Sequence, residues 1–223
     1  MSKEEAKKMT DDYNEFLEKE YEESRKSEKA LVYDFLSDEW EGFKHGNEKD
    51  FLKSPDTGVD KKKLLELGEK LATLPEGKKY FRKISKIFKD RLAAIQEDRL
   101  DWGSAEMLAY ATLLVEGHPV RMTGQDVERG TSSHRHAVVK TEVKEEEIIT
   151  LNMLGDNQAS FEIYNSLLSE YAVLGYEYGY SIACPNGLTI WEAQFGDFYN
   201  GAQIMVDQFI TAGEDKWATQ SGL

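Results

Sequence analysis

A chain of 223 residues, 40% hydrophobic and 11% aromatic, is long enough for one large domain or two small ones with a packed core. Its formal net charge of −14 is uneven, since residues 1–100 carry 22 basic and 24 acidic side chains whereas residues 101–223 carry 6 and 18. So acidic a second half repels phosphate backbones, and we expect no nucleic-acid partner.

The lack of membrane-spanning and signal-peptide patterns and the low cysteine content predict a location in the cytoplasm. No run of residues approaches the roughly 18–20 apolar positions that span a bilayer. The first thirty residues mix lysine and glutamate and lack the apolar stretch of a signal peptide. Cys184 is the only cysteine, so the chain alone makes no disulfide, thiolate zinc site or iron–sulfur site. We expect a soluble cytoplasmic protein with no membrane partner and no metal ligands.

The first hundred residues have helical periodicity. An amphipathic pattern in the first fifty residues gives way at residues 40–59 to a loop rich in glycine. Asp60 is placed to cap a second helix, and a third is predicted over about residues 78–98. We interpret residues 1–59 as a helical linker and residues 60–98 as a helical connector, neither of which gathers groups suited to chemistry. The apolar residues that carry the three patterns are Tyr13, Phe16, Leu17, Tyr21, Leu31, Val32, Phe35 and Leu36, then Leu64, Leu67 and Leu71, then Phe81, Ile84, Phe88, Leu92 and Ile95.

From Trp102 onward, helices alternate with short apolar strands, which is the pattern of an α/β domain with a parallel sheet. The predicted elements are a helix at 102–116, a strand at 120–122, a helix at about 165–180, a strand at 188–191 and a helix at 202–210. Ligands of open α/β sheets bind beyond the carboxyl ends of the strands, which here means residues 124–136. We assign the domain to residues 99–223 and expect it to be truncated at its C-terminal end.

Four clusters combine groups suited to chemistry, and each has a simpler explanation. Residues 124–131 form a glycine-bounded loop that suits a tight connection equally well. His134 and His136 alternate like strand residues and lack an assigned third metal ligand. Glu170 stands near a helix N-terminus, where a carboxylate is stabilised by the helix dipole. Residues 192–200 interleave acids with aromatic rings of the kind that fill cores. No single cluster decides the function.

Seven runs follow one another along the chain: 101–103 (DWG), 116–121 (EGHPVR), 124–131 (GQDVERGT), 133–138 (SHRHAV), 164–166 (YNS), 168–175 (LSEYAVLG) and 191–198 (WEAQFGDF). Taken in order, these runs resemble the thiamine-dependent first component of 2-oxoglutarate dehydrogenase. The resemblance extends over about residues 60–223, and several long motifs in a fixed order make it specific.

The resemblance implies part of a transketolase-like pyrimidine-binding domain, which holds the aminopyrimidine ring of thiamine diphosphate. Glu170 matches the glutamate that bonds the pyrimidine nitrogen, and Phe195 and Phe198 match aromatic residues packed against the ring. Gln125 and Asp126 are the further cofactor-binding candidates. His136, with His134 as second choice, is the candidate for contact with substrate. The family's diphosphate motif, Gly-Asp-Gly, is absent, so magnesium is expected to bind a domain outside this sequence.

The implied activity is decarboxylation of 2-oxoglutarate and transfer of the succinyl unit to lipoyl groups, a step of the tricarboxylic acid cycle. The implied partners are a second copy and the dihydrolipoyl succinyltransferase and dihydrolipoyl dehydrogenase components. Another thiamine-dependent 2-oxoacid dehydrogenase and a non-catalytic helical interaction protein are the alternatives. By itself the chain is expected to be inactive and to expose apolar surface around Glu170, Phe195 and Phe198.

Overall fold

The computed structural model describes residues 1–29 and 35–223, and the chain divides into two compact units, residues 1–37 and 38–223. The first unit contains helix α1, Lys3–Ser24, whose N-terminus is closed by a capping box between Ser2 and Glu5. None of the α1 residues, all of which are described, is buried. The helical prediction was wrong at Phe35 and Leu36, which lie in turns. Leu31 and Val32, which carry the same predicted pattern, lie outside the described residues.

Three helices open the second unit: α2 at Lys61–Leu71, α3 at Arg82–Gln96 and α4 at Trp102–Val115. Asp60 caps α2 as predicted, since its Oδ1 accepts the backbone N–H of Lys62 at 2.8 Å. Helix α2 packs closely on α3, because a Cβ at Gly68 would lie 2.7 Å from Cγ2 of Ile95. The helix predicted at 78–98 corresponds to α3 and is shorter than predicted at both ends, with Phe81 as its N-cap.

A three-stranded parallel sheet forms the centre of the second unit. Its strands are β1 at Val120–Gly124, β4 at Phe161–Asn165 and β5 at Leu188–Glu192, in the order β4-β1-β5. The register pairs Gly124 with both Asn165 and Glu192, so the three carboxyl ends lie side by side. Two antiparallel strands of two residues each, β2 at Val139–Lys140 and β3 at Glu147–Ile148, lie between β1 and β4 in the chain.

The sheet has a different partner on each face, because successive side chains of a strand point to opposite sides. Met122, Phe161 and Ile190 pack in the main core with α2 and α4. Trp191 packs on the other face in a cluster with Leu174. Leu174 belongs to α5, Glu170–Ala183. The predicted α/β class with a parallel sheet is therefore confirmed.

Two predicted elements were wrong in detail. Residues 161–165 form β4, whereas the prediction began a helix at 165; helix α5 starts five residues later. The predicted helix at 202–210 is a chain of short helical turns that begins at 197 and includes a π-helical turn, Val206–Ile210. Within the described parts of the chain, no helix is long and apolar enough to cross a membrane. The domain boundaries at 59 and 98 stay predictions.

Candidate active site at the carboxyl ends of the strands

Glu170 is the first residue of α5 and is buried, with 7% of its surface exposed. The hydroxyl of Ser169 caps the helix by accepting the N–H of Ala172. The Glu170 carboxylate accepts two hydrogen bonds, from Trp191 Nε1 to Oε2 at 3.0 Å and from the backbone N–H of Gln194 to Oε1 at 3.3 Å. Both donors belong to the end of β5 and the turn after it. This turn, more than the helix dipole alone, therefore determines where the carboxylate lies.

An open pocket of about 220 Å³ adjoins this carboxylate. Of the predicted cofactor-binding residues, Glu170, Gln125 and Phe198 line it together. Asp126 lies beside it, since its Oδ2 accepts from Nε2 of Gln194, another lining residue, at 3.2 Å. The remaining lining residues are Asn200 and Gly201.

Phe195 and Phe198 stand at the surface next to the pocket, with 62% and 52% of their surface exposed. Their ring centroids are 6.3 Å apart and the rings are tilted by 55°. The aromatic exposure expected around Glu170 is thus present, while the Glu170 carboxylate itself is buried. Two flat apolar faces bordering a polar pocket suit a planar aromatic ligand.

The backbone around the pocket adopts uncommon conformations. Asp126 and Phe195 both have left-handed φ values, of 58° and 57°. Gly124 has φ of 155°, and a Cβ there would lie 2.2 Å from the carbonyl oxygen of Glu192. Glycine therefore lets the ends of β1 and β5 approach closely. Such conformations cost energy and concentrate at functional sites, so they support this edge as the site.

A buried arginine joins the site to α4. Arg135 is 1% exposed and bridges Glu106 of α4 and Glu192 of β5, with Nη2–Oε distances of 2.9 and 2.5 Å. Its Nη1 also donates to the carbonyl of Val127 at 2.8 Å. The Tyr110 hydroxyl donates to Glu106, and burial raises the pKa of Tyr110. Sequence reasoning missed this network, although a cation inside a half that is otherwise acidic was a usable signal.

His134 and His136 flank Arg135 but do not line the Glu170 pocket. Nε2 of His134 lies 3.7 Å from Glu106 Oε2. His136 is buried, has a left-handed φ of 43°, and its Nε2 finds no hydrogen-bond partner among the residues that the structure describes. The structure thus places His134 beside the Arg135 network, and neither histidine lines the Glu170 pocket. Their contact with substrate stays a prediction.

The helical connector contributes to this loop. Nη2 of Arg91, in α3, donates to the carbonyls of His134 at 3.2 Å and Arg135 at 2.7 Å. Arg91 is itself buried and stacks over Phe88 at 5.2 Å. Arg91 thus holds the backbone of residues 134–135, a structural role on which the expectation of no groups suited to chemistry in this region is silent. The sequence pattern of α3 is that of an ordinary amphipathic helix and does not indicate this role of Arg91.

His136 makes the stability of the chain depend on pH. Its pKa lies below the ordinary 6.5, because burial and then the positive charges of Lys83, Arg91 and Arg129 disfavour the imidazolium. The unfolded chain binds this proton more readily, so its contribution to stability is complete above 6.5 and is lost as pH falls below it. We expect urea unfolding at a series of pH values to give a steeper acid-side loss for the wild-type chain than for His136→Asn. Parallel curves for the two proteins would contradict the assignment.

Comparison with known proteins identifies the domain. Residues 98–223 match the family described as "Transketolase, pyrimidine binding domain". The chain is 50% identical over 206 residues to "2-oxoglutarate dehydrogenase, mitochondrial" of Schizosaccharomyces pombe, covering 90% of the chain and 20% of that protein. It is 45% identical over 219 residues to the "2-oxoglutarate dehydrogenase E1 component" of Brucella ovis and of Brucella suis, covering 97% of the chain and 22% of each relative.

The chain thus spans about a fifth of the length of the curated relatives that it matches. The family match covers the sheet, α5 and all residues of the Glu170 pocket. The sequence match, the parallel sheet and the position of the pocket at its carboxyl edge all indicate the same domain type. The chain belongs to the transketolase pyrimidine-binding domain family.

Proposed function

We propose that this chain is part of a thiamine diphosphate-dependent 2-oxoglutarate dehydrogenase first component and that the Glu170 pocket receives the aminopyrimidine ring. The observation that carries this proposal is a buried carboxylate, oriented by two N–H donors, that lines an open pocket beside exposed aromatic rings. The names of relatives 45–50% identical to the chain support the same enzyme class. They favour it over the pyruvate and branched-chain dehydrogenases and over a non-catalytic interaction protein.

The residues of the pocket fit the pyrimidine half of this cofactor. The ring is flat and carries nitrogen atoms at its edge, which suits one carboxyl group, the amides of Gln125 and Gln194, and the face of Phe198. When bound, thiamine diphosphate supplies a thiazolium carbon that acts as a nucleophile towards a 2-oxoacid. Glu170 would exchange a proton with the pyrimidine nitrogen, and Phe195 and Phe198 would orient the ring and exclude water.

The diphosphate and its magnesium ion are proposed to bind residues outside this sequence. Among residues 1–29 and 35–223 no three His, Cys, Asp or Glu side chains are grouped to hold a metal ion. The chain spans only a fifth of its relatives' length, which leaves room for such a site elsewhere in the longer protein. Diphosphate anchoring through a metal ion supplies much of the affinity for cofactors of this kind.

The substrate-side and assembly roles belong to the same proposal. His136, with His134 second, is proposed to contact 2-oxoglutarate. Because the pKa of His136 lies below its ordinary value, this contact would be a hydrogen bond from a neutral imidazole and not a charge pair. The succinyl product would pass to the dihydrolipoyl succinyltransferase, which works with dihydrolipoyl dehydrogenase in the tricarboxylic acid cycle. The cytoplasmic location stays a prediction, although the Schizosaccharomyces pombe relative is named as mitochondrial.

An exposed apolar face next to the pocket supports the proposed homodimer. Its residues come from the chain just before α5 and its first turn, and from residues 195–204 after β5; α5 contacts the helical turns of the latter segment. Contiguous exposed apolar surface of this kind marks interfaces with other protein surfaces. The exposed side chains of this face are Leu167, Leu168, Tyr171, Phe195, Phe198, Tyr199 and Ile204.

A chimera tests the proposed activity. In this chimeric enzyme the chain replaces the matching segment of the Schizosaccharomyces pombe protein, with which it shares 50% identity. We expect release of carbon dioxide from 2-oxoglutarate, whereas the isolated chain should show no activity and only weak binding of thiamine diphosphate by calorimetry. Pyruvate serves as the control substrate. A well-folded chimera that prefers pyruvate or lacks thiamine-dependent activity, or tight magnesium-dependent binding by the chain alone, would contradict the proposal.

A further inference from the structure

Among the described residues, Trp191 is the only one whose side chain donates a hydrogen bond to the Glu170 carboxylate. Its indole Nε1 donates to Oε2 at 3.0 Å. The indole is partly buried and packs with the Leu174–Ala202–Met205 cluster between α5 and the C-terminal turns. Packing therefore fixes the direction of the N–H before any ligand is present. An indole nitrogen is a donor only, so the bond can be made in one sense.

The strand that carries Trp191 is also held from its other face. Trp191 pairs with Thr123 and the next residue, Glu192, pairs with Gly124. Because neighbouring side chains of a strand point to opposite faces, Glu192 reaches Arg135 while Trp191 reaches Glu170. The end of β5 is thus fixed between the buried Arg135 network and α5.

The two donors determine the orientation of the carboxyl group. Oε2 of Glu170 accepts from Trp191, and Oε1 accepts from the backbone of Gln194 at the longer distance of 3.3 Å. A carboxylate has about four lone-pair sites, so both oxygens keep capacity for a ligand after these bonds form. Without the indole N–H, only the longer backbone bond would restrain rotation of the carboxyl plane.

We propose that Trp191 is a positioning residue for Glu170: its indole N–H holds the carboxyl group in the plane and rotation that face a ligand in the Glu170 pocket. This inference rests on the proposed function for its catalytic consequence, while its geometric part concerns the chain alone. Hydrogen bonds to a charged group are stronger than those between neutral groups, and losing one at a buried site costs more free energy. Loss of the indole N–H should therefore weaken the state in which the oriented carboxyl group contacts the ligand. Trp191 acts through Glu170 and does not touch the reacting atoms.

The geometric part can be tested on the chain by nuclear magnetic resonance. In a chain labelled with ¹⁵N-tryptophan, the indole N–H of Trp191 should exchange slowly with solvent, and Glu170→Ala should accelerate this exchange at least about tenfold. Trp40 is the matched control, because its indole Nε1 donates to the carbonyl of Ile182 at 2.7 Å and does not contact Glu170. Exchange at Trp191 that is unchanged by Glu170→Ala would overturn the proposal.

The catalytic part can be tested in the chimeric enzyme with Trp191→Phe. This change keeps an aromatic ring and removes the donor, so we expect kcat to fall about tenfold to hundredfold while KM for 2-oxoglutarate stays within about twofold. Trp40→Phe removes an equivalent hydrogen bond and should leave kcat unchanged. The near-ultraviolet circular dichroism of the bound cofactor, which reports the state of its pyrimidine ring, should change only in Trp191→Phe.

A double-mutant cycle separates positioning from a general packing role. If Trp191 works through the Glu170 carboxyl, Trp191→Phe should cost little further kcat once Glu170→Gln is present. An equal loss in both backgrounds, or an equal loss from Trp40→Phe, would overturn the proposal. An inactive unmutated chimera would contradict the proposed function, and the exchange measurement on the chain would then decide the inference.

Discussion

Replacing Glu170 by glutamine in the chimeric enzyme is expected to slow release of carbon dioxide by about 10²–10⁴-fold, the usual contribution of a general acid or base. The variant keeps the shape of the side chain and an oxygen that accepts a hydrogen bond, but it loses the group that exchanges a proton. Because one of the two N–H donors then faces an amide NH₂, the free energy of unfolding should fall by about 1–2 kcal/mol. Steady-state release of carbon dioxide at saturating cofactor, together with urea unfolding, measures both effects.

The competing explanation treats Glu170 as a charge at a helix N-terminus. It predicts a stability loss of at most about 1 kcal/mol and an almost unchanged rate. Glu214 is a matched control, because it stands in the first turn of another helix and is exposed, away from the pocket. Glu214→Gln should leave the rate unaffected. A Glu170→Gln chimera with a rate within about threefold of the unmutated one would exclude the acid–base role.

Arg135→Met is expected to lower the free energy of unfolding of the chain by about 3–5 kcal/mol, the usual effect of removing one partner from a buried ion pair. Arg135 is 1% exposed, and its removal leaves the carboxylates of Glu106 and Glu192 close together in a poorly solvated region. Methionine keeps most of the length of the side chain, so little of the loss comes from a cavity. Urea unfolding with linear extrapolation measures the change.

Two further variants identify the origin of this loss. Lys61→Met removes a cation from the exposed Lys61–Asp98 pair and should cost at most about 1 kcal/mol. The triple change Arg135→Met, Glu106→Gln and Glu192→Gln removes the uncompensated charges as well, so it should recover part of the stability. If Arg135→Met alone costs no more than the surface variant, the network does not hold β5 as the structure indicates.

The local elements of this protein were largely determined by its sequence. Asp60 was recognisable as a helix cap, the apolar spacing of α2 and α3 predicted both helices, and the alternation after Trp102 predicted a parallel α/β sheet. The order of the long motifs was sufficient to indicate the family and to single out Glu170. Such signals are readable because caps and periodicity act over a few neighbouring residues.

Strand β4 was not predicted, because its local sequence carries a weak signal. It is only five residues long, Phe161–Asn165, and its two final residues are exposed, so its pattern does not distinguish a strand from the start of a helix. Its pairing with β1, some forty residues earlier in the chain, determines its structure. Propensity is a weak signal where tertiary pairing supplies most of the energy.

The arrangement of the site was decided by tertiary structure. Arg135 meets Glu192 across 57 residues, and Trp191 meets Glu170 across 21. The two histidines share one short run with Arg135, yet His134 lies near Glu106 of α4 and neither histidine lines the Glu170 pocket. A sequence pattern states which face of an element is apolar, but it does not state which distant element covers that face. The residues that form the candidate site were therefore visible in the sequence, whereas the contacts that orient them follow only from packing of the sheet between its helices.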